Sequence, residues 1–365
     1  MSQSEYKLLI FSSSGTRVAE ITDFTALGMT KSVNQPGALT LDLPASHPVL
    51  PLLQPDSILE LWRRNQAYDV PWTLEFQGIY RADERRWFDE YDRFRATCPG
   101  VLSLLGRRVI AWRAETTNRS TFNNVAAETV MKTLVRYNAG ADATTGNGRL
   151  RTASSLNISV EADQGRGPSI TWSGAYKNLL TALQELATIA SMDFDLIRVG
   201  SGWEFRVYPG QRGVDRRAQL VFALEYGNID RPELRIERMR ERTVAIVGGQ
   251  GQGSQRAFAV QVGPTYSASN DVELFVDGRQ NSSPQALSTE ALIALQEQAE
   301  RQSIRATIIQ TPGTAYGKHY GVGGVLGDLV RLRYAGYQQD HKIVTVTITL
   351  DEDGEERIEI ETEAL

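Results

Sequence analysis

The 365-residue chain is poor in the residues that carry most protein chemistry. It has one cysteine, three histidines and no excess of positive charge. A single cysteine, Cys98, excludes an intrachain disulfide. Its place in Arg93-Phe94-Arg95-Ala96-Thr97-Cys98, on the face of Phe94 and Ala96, marks it as a small buried hydrophobe. His47, His319 and His341 lie at no metal-ligand spacing with one another or with the cysteine, which argues against a zinc site. No Gly-x-Ser-x-Gly elbow occurs, so a hydrolase of that design is excluded. No window approaches the ~18 uninterrupted apolar residues of a membrane helix. The opening Met1-Ser2-Gln3-Ser4-Glu5-Tyr6 lacks a basic stretch followed by an apolar one. The chain is therefore expected to be made as a soluble, unexported protein with no membrane anchor. The net charge of −5, from 39 basic and 44 acidic residues, disfavours tight binding of DNA, which needs a basic field to neutralise phosphates.

What is present is β-pattern. With 41% hydrophobic residues the chain can bury a substantial core, and its length suggests roughly two or three domains. The clearest signal is the last quarter. A glycine-rich stretch with Gly321, Gly323 and Gly324 runs into Leu326-Gly327-Asp328-Leu329-Val330-Arg331-Leu332. In the run from Ile343 to Leu350, alternation places Val344, Val346, Ile348 and Leu350 on one face. Ile358, Ile360 and Thr362 alternate with charged neighbours, and the turn Asp351-Glu352-Asp353-Gly354 closes a hairpin. Residues 6–112 read as further strands, over 7–11, 17–21, 57–63, 73–81 and 87–98. The turn Asn34-Gln35-Pro36-Gly37 precedes alternating Leu39, Leu41 and Leu43. Residues 101–106 read as a short helical turn.

The period changes between 113 and 235. Helices are expected from Ser120 or Thr121 to about Tyr137, and from Ala175 to Ser191. A hairpin follows, formed by 193–197 and 203–208 about Gly200-Ser201-Gly202. From 236 onward strands return around one helix, Ser288 to Gln302. The expected fold is mainly β with an α+β insert: two antiparallel β-barrel modules, 1–112 and 236–365, flanking an α+β segment at 113–235. The two β modules are expected to superpose.

Several residues invite a chemical reading. The Gly248–Gly253 cluster suggests a phosphate loop, but it lacks the Walker lysine and is followed by a strand pattern, which favours a hairpin or contact loop. Asp193 and Asp195, two apart on an edge strand, share a face and are expected to keep it wet rather than act as a catalytic pair. Asp351, Asp353 and Glu355 make half of a calcium loop and read better as a solvated turn. The Arg63-Arg64, Arg85-Arg86, Arg107-Arg108 and Arg235–Arg242 clusters read as solvated faces or subunit contacts. The six tryptophans sit in strand contexts and are expected mostly in the core. Asn118-Arg119-Ser120 matches a glycosylation sequon without meaning in an unexported chain. No catalytic, cofactor-binding or metal-ligating residue is assigned, no cofactor is expected, and the chain is not expected to be an enzyme.

In their order along the chain, Leu27, Asn34–Leu41, Phe76-Gln77-Gly78-Ile79, Gly100–Ile110, Asn178–Phe194, Tyr208-Pro209-Gly210, Arg212-Gly213, the 248–253 loop and Leu326–Val330 resemble the tail-hub structural proteins of long-tailed phages. They are similar to a group of actinobacterial siphophage tail proteins. The resemblance implies a virion structural protein at the tail tip, assembled in the host cytoplasm as a homotrimer. It presents two barrels per chain to a sixfold tube. Implied partners are a distal tail protein or tube ring, the tape-measure C-terminus and separate spike or fibre proteins, with DNA passing unbound. A tail-associated cell-wall hydrolase and a receptor- or carbohydrate-binding tail module are the rival readings.

Overall fold

The computed structural model describes residues 4–88, 91–112, 119–334 and 336–365. Asn118 and the expected segment boundary after 112 lie outside them. The protein is mostly β with a few helices, as its alternating pattern predicts. Its contacts divide it into two compact units. One comprises Met1–Ser103, Gln211–Leu234 and Ser303–Leu365; the other comprises Leu104–Gly210 and Arg235–Gln302. The three consecutive stretches expected from the sequence are interleaved in these units.

In the first unit the strands Ser4–Phe11 and Arg17–Ile21 form the expected hairpin. Together with Ile58–Asn65 and Val70–Ile79 they make a four-stranded antiparallel sheet. A ten-stranded sheet joins both ends of the chain. Tyr337–Leu350 pairs on one side with Glu356–Ala364 and on the other with Ala26–Ser32. That strand leads on to Ala38–Pro44, Tyr91–Pro99 and Ala82–Phe88. Of the single strand expected at 87–98, Trp87 and Phe88 end the first arm of this last hairpin and the residues from Tyr91 onward form the second. Leu8, Ile10, Leu39, Leu41, Leu43, Leu59, Ile348 and Ile360 fill one core between these elements. Cys98 lies within it, and burial pushes its thiol up to about 12.

One face differs from the simple alternation. A β-bulge between Ile343 and Thr345 inserts an extra residue, so the inward set changes phase at that point. Ile343 and His341 are buried with Val346 and Ile348, while Val344 is only half-buried. The Val344 carbonyl accepts from Val33 N–H at 2.9 Å.

In the second unit, helix α1 spans Ala127–Asn138, α2 spans Leu179–Ala190 and α3 spans Pro284–Glu297. The helix expected from Ser120 begins instead at Ala127. Ser120–Ala126 is a strand paired with Ser169–Gly174, which brings Phe122 opposite Trp172. α2 starts at a capping Asn178, whose side chain accepts from the Leu180 and Thr181 amides. α3 starts four residues before the expected Ser288, at a Ser283 cap followed by Pro284, and gives way to the strand Arg301–Ile308. The expected hairpin is present as Met192–Val199 and Gly202–Pro209. Val244–Gly248 runs between Phe258–Val262 and Glu273–Asp277, and one face of this small sheet packs Ala245, Val247 and Ala259 on Leu287, Ala291 and Leu295 of α3.

Gly37 has φ +63°, and a Cβ there would lie 2.3 Å from the Thr30 carbonyl; Gly354 has φ +75° with open space around it. Left-handed backbone alone costs an alanine about 1–2 kcal/mol. Gly354→Ala should lose about that much in urea unfolding, and Gly37→Ala clearly more, on the order of 3 kcal/mol or above. Equal losses would show that the close approach at Gly37 carries no energetic weight.

Candidate functional site

The residues singled out in the sequence do not converge on one centre. The Gly248–Gly253 stretch is a hairpin loop, with Val244–Gly248 and Phe258–Val262 antiparallel. Two of its amides are engaged by protein carbonyls: Gly249 N–H donates to Ala257 O at 2.7 Å and Gln250 N–H to Asn281 O at 2.8 Å. Its carbonyls face a cation: Arg256 donates to Gly248 O at 2.9 Å, to Gly249 O at 3.0 Å and to Asp277 at 2.8 Å. That polarity is opposite to what a phosphate requires.

Asp193 is buried rather than wet, at 2% exposure, whereas Asp195 is half-buried and accepts from the Leu196 amide. The edge position was legible, but the packing of the flanking strand was not. Asp351 accepts from the Asp353 and Glu355 amides in an exposed turn. His47 Nε2 lies 3.2 Å from Asp23, and His319 Nδ1 accepts from Ala315 N–H. His341 Nδ1 is 3.0 Å from Thr362 Oγ1, and burial lowers its pKa. Among the described residues, no three His, Cys, Asp or Glu side chains are grouped to hold a metal ion. Of the tryptophans only Trp172 and Trp203 are core residues. Trp62, Trp72 and Trp112 are half-buried, and Trp87 is 76% exposed.

The first unit buries a network of charge that sequence reasoning missed. Arg63, placed in the sequence reading among solvated arginines, is fully buried. It donates from Nε and Nη2 to Glu356 at 2.6 and 3.0 Å. Glu356 also accepts from Tyr6 OH, from Ser4 Oγ at 2.9 Å and from Gln310 Nε2 at 2.9 Å. Burial pushes the Glu356 carboxyl up, but the hydrogen bonds and charge of Arg63 outweigh it and leave its pKa below the usual range. Beside this pair, Glu75 accepts from Lys31 at 2.9 Å and from Tyr316 OH at 2.6 Å, while Lys31 also donates to Gly324 O. The Arg63 guanidinium and the Lys31 ammonium each stand 5.4 Å from the Tyr316 ring centre. Burial lowers the Lys31 pKa against the opposing pull of Glu75. Most of these groups are paired with one another, while Glu75 Oε1 and Gln310 Oε1 are buried without a hydrogen-bond partner among the described residues.

The second unit offers surface. On the small sheet, Phe258, Val260, Val262 and Phe275 point away from α3 and are all more than half exposed. Ile246 lies between Val260 and Phe275 in the same register. Arg256 spans the two rings, 5.6 Å from Phe258 and 5.5 Å from Phe275. Contiguous exposed apolar side chains rimmed by charge mark a contact surface rather than a reaction centre.

Comparison with known proteins agrees with a structural role. The fold is that of phage tail proteins. It matches a prophage MuSo2 43 kDa tail protein from Shewanella oneidensis, with TM-score 0.59, 11% identity, and 99% of this chain and 98% of that one covered. Prophage tail protein gp18 from Listeria monocytogenes matches with TM-score 0.55 and 10% identity over 98% and 94% of the two chains. A chain of the Francisella PdpA-VgrG complex matches with TM-score 0.55 and 9% identity; 99% of this chain corresponds to 53% of that one. No curated protein matches. The family model described as Siphovirus ReqiPepy6 Gp37-like protein matches residues 7–362, and the chain belongs to that family of phage tail structural proteins.

The buried pair gives a pH-dependent expectation. Because the folded pKa of Glu356 lies below its unfolded value of about 4.3, its stabilisation is present above that pH and is lost as pH falls toward the folded pKa. Glu356→Gln should cost about 3–5 kcal/mol at pH 7 by stranding Arg63 and should flatten the acid limb of the urea midpoint. Arg63→Met with Glu356→Leu should recover most of the loss. A single variant within about 1 kcal/mol of the parent would contradict this account.

Proposed function

We propose that the protein is a tail-tip or baseplate hub subunit that assembles as a homotrimeric ring. The ring joins the tail tube to the tip and encloses the path of the tape measure and DNA. The observation that carries this reading is the end-to-end correspondence with tail proteins, 99% of this chain against 98% of the Shewanella protein. The described chemistry supports it, since the buried Arg63, Glu356 and Lys31 are all ion-paired and the distinctive exposed feature is an apolar sheet face. Its neighbours in the virion are a distal tail protein or tube ring above, the tape-measure C-terminus within, and separate spike or fibre proteins below. Host cytoplasm is where such a ring forms. The fold's recurrence within the longer Francisella chain supports a module that other tip components join.

In this reading the Phe258, Val260, Val262 and Phe275 face meets a second copy of the chain, and the 248–253 loop at its edge is a contact loop. Each chain of a threefold ring must present two near-equivalent faces to a sixfold tube. A conduit must also release DNA as readily as it admits it. The bore is therefore neutral to acidic, in keeping with the net charge of −5.

Native mass spectrometry should find three 40.5 kDa chains in one particle. Replacing Phe258 and Phe275 together by aspartate should shift it to folded monomer with an unchanged circular dichroism spectrum. A monomeric parent, or a trimer indifferent to both substitutions, would overturn the assembly. Retention of duplex DNA by the trimer at physiological salt would overturn passive guidance.

A further inference from the structure

We propose that a recess in the second unit, between α2, α3 and the strand Ser169–Gly174, is a receptor for a cationic side chain, arginine or lysine, of a partner protein. The recess has a cavity of about 60 Å³, open to solvent on one side, and is lined by Trp172, Lys177, Glu185, Asn281, Glu290 and Ile293 among others. This inference does not depend on the hub reading.

The walls are specifically built. Gly174 leaves room for the Trp172 ring, since a Cβ there would lie 2.4 Å from it. Asn281 is 4% exposed and fixed on every side. Its Oδ1 accepts from Arg119 at 3.1 Å, its Nδ2 donates to Glu290 at 3.3 Å, and its carbonyl holds the 248–253 loop through Gln250. The loop that resembled a phosphate cradle thus buttresses an acidic recess.

The charges in it do not balance. Among the lining side chains Glu185 and Glu290 meet one cation, Lys177, which pairs with Glu185 and is itself 41% exposed; Arg119, held on Asn281 Oδ1, adds a more distant positive charge, and Asp277 and Glu297 add more distant negative ones. The Glu185 side chain is only 9% exposed, and its Oε2 has no hydrogen-bond partner among the described residues. Burial raises the pKa of both carboxyls, offset only in part by Lys177 at Glu185 and by the Asn281 hydrogen bond, Lys177 and Arg119 at Glu290. A carboxyl whose folded pKa is raised stabilises most at low pH and loses that contribution as pH rises through the folded pKa, so these two cost stability when ionised. Residues kept for stability alone would not be arranged so. A guanidinium or ammonium supplies the missing charge, and its aliphatic stem suits a wall of Trp172, Ala286 and Ile293. The recess has two carboxylates, one of them paired with Lys177, and among the described residues no three His, Cys, Asp or Glu side chains are grouped as a divalent cation would favour.

The test is a titration of the full chain with Nα-acetyl-arginine amide, followed by the Trp172 indole and Asn281 side-chain N–H signals in proton–nitrogen correlation spectra. Saturable shifts are expected with the arginine probe and none with the isosteric, uncharged acetyl-citrulline amide. Glu290→Gln should weaken binding at least tenfold while its melting temperature equals or exceeds the parent's. Equal shifts from citrulline, no saturation with arginine, or saturation of the same signals by magnesium chloride would each overturn the proposal. A Glu290→Gln variant that melts clearly lower would do so as well, by giving the carboxylate a structural role.

Discussion

The ion pair of Arg63 with Glu356 is the constraint on which the first unit turns. A buried guanidinium needs its five donors satisfied, and a buried carboxylate needs several donors. Meeting both demands gathers Ser4 and Tyr6 from one strand, Arg63 from its neighbour, Gln310 from a loop and Glu356 from the last strand. The adjoining Lys31, Glu75 and Tyr316 cluster ties in two more strands and the glycine-rich turn at Gly324. Apolar packing would tolerate small slips between the four-stranded and ten-stranded sheets. A hydrogen-bonded charge network tolerates far fewer, so it fixes their register.

That geometry requires the chain to return on itself. The strand Ala26–Ser32 pairs with Tyr337–Leu350, so the largest sheet cannot form until both ends of the molecule are present. Such distant pairing makes folding slow. The second unit is likewise built from two separate stretches, Leu104–Gly210 and Arg235–Gln302, with Gln211–Leu234 belonging to the first.

The fold is shared with tail proteins from Shewanella oneidensis and Listeria monocytogenes at 10–11% identity. Alternation, turn glycines and buried volume survive wide substitution. Interfaces are the part each assembly must tune for itself. In this chain the uncovered Phe258 and Phe275 face and the recess at Glu290 belong to the second unit and rest on the same helix, α3. Rigid support on one side and exposure on the other is what a contact surface needs.

Local features were legible in the sequence: the hairpin ending in Asp351–Gly354, the buried face of Cys98, the 3₁₀ turn at Val101–Arg107, the hairpin character of Gly248–Gly253, and the stripe of α2. Each depends on the period of side chains along a few residues or on one turn. The Ser283-Pro284 cap of α3 was also readable and marks its start better than the apolar stripe does. Partner choice was not legible. Ser120–Ala126 is a strand only because Ser169–Gly174 lies beside it, and Val344 leaves the buried face only because a bulge lets His341 and Ile343 enter. Arg63 reads as a surface residue until Glu356, 293 positions away, is brought against it. The recess joins residues from 172 to 293 that no spacing rule connects. Sequence determined the elements, because backbone propensity and alternation act over neighbours. Tertiary structure decided which charges were buried and which apolar faces stayed open, because desolvation depends on everything packed around a group.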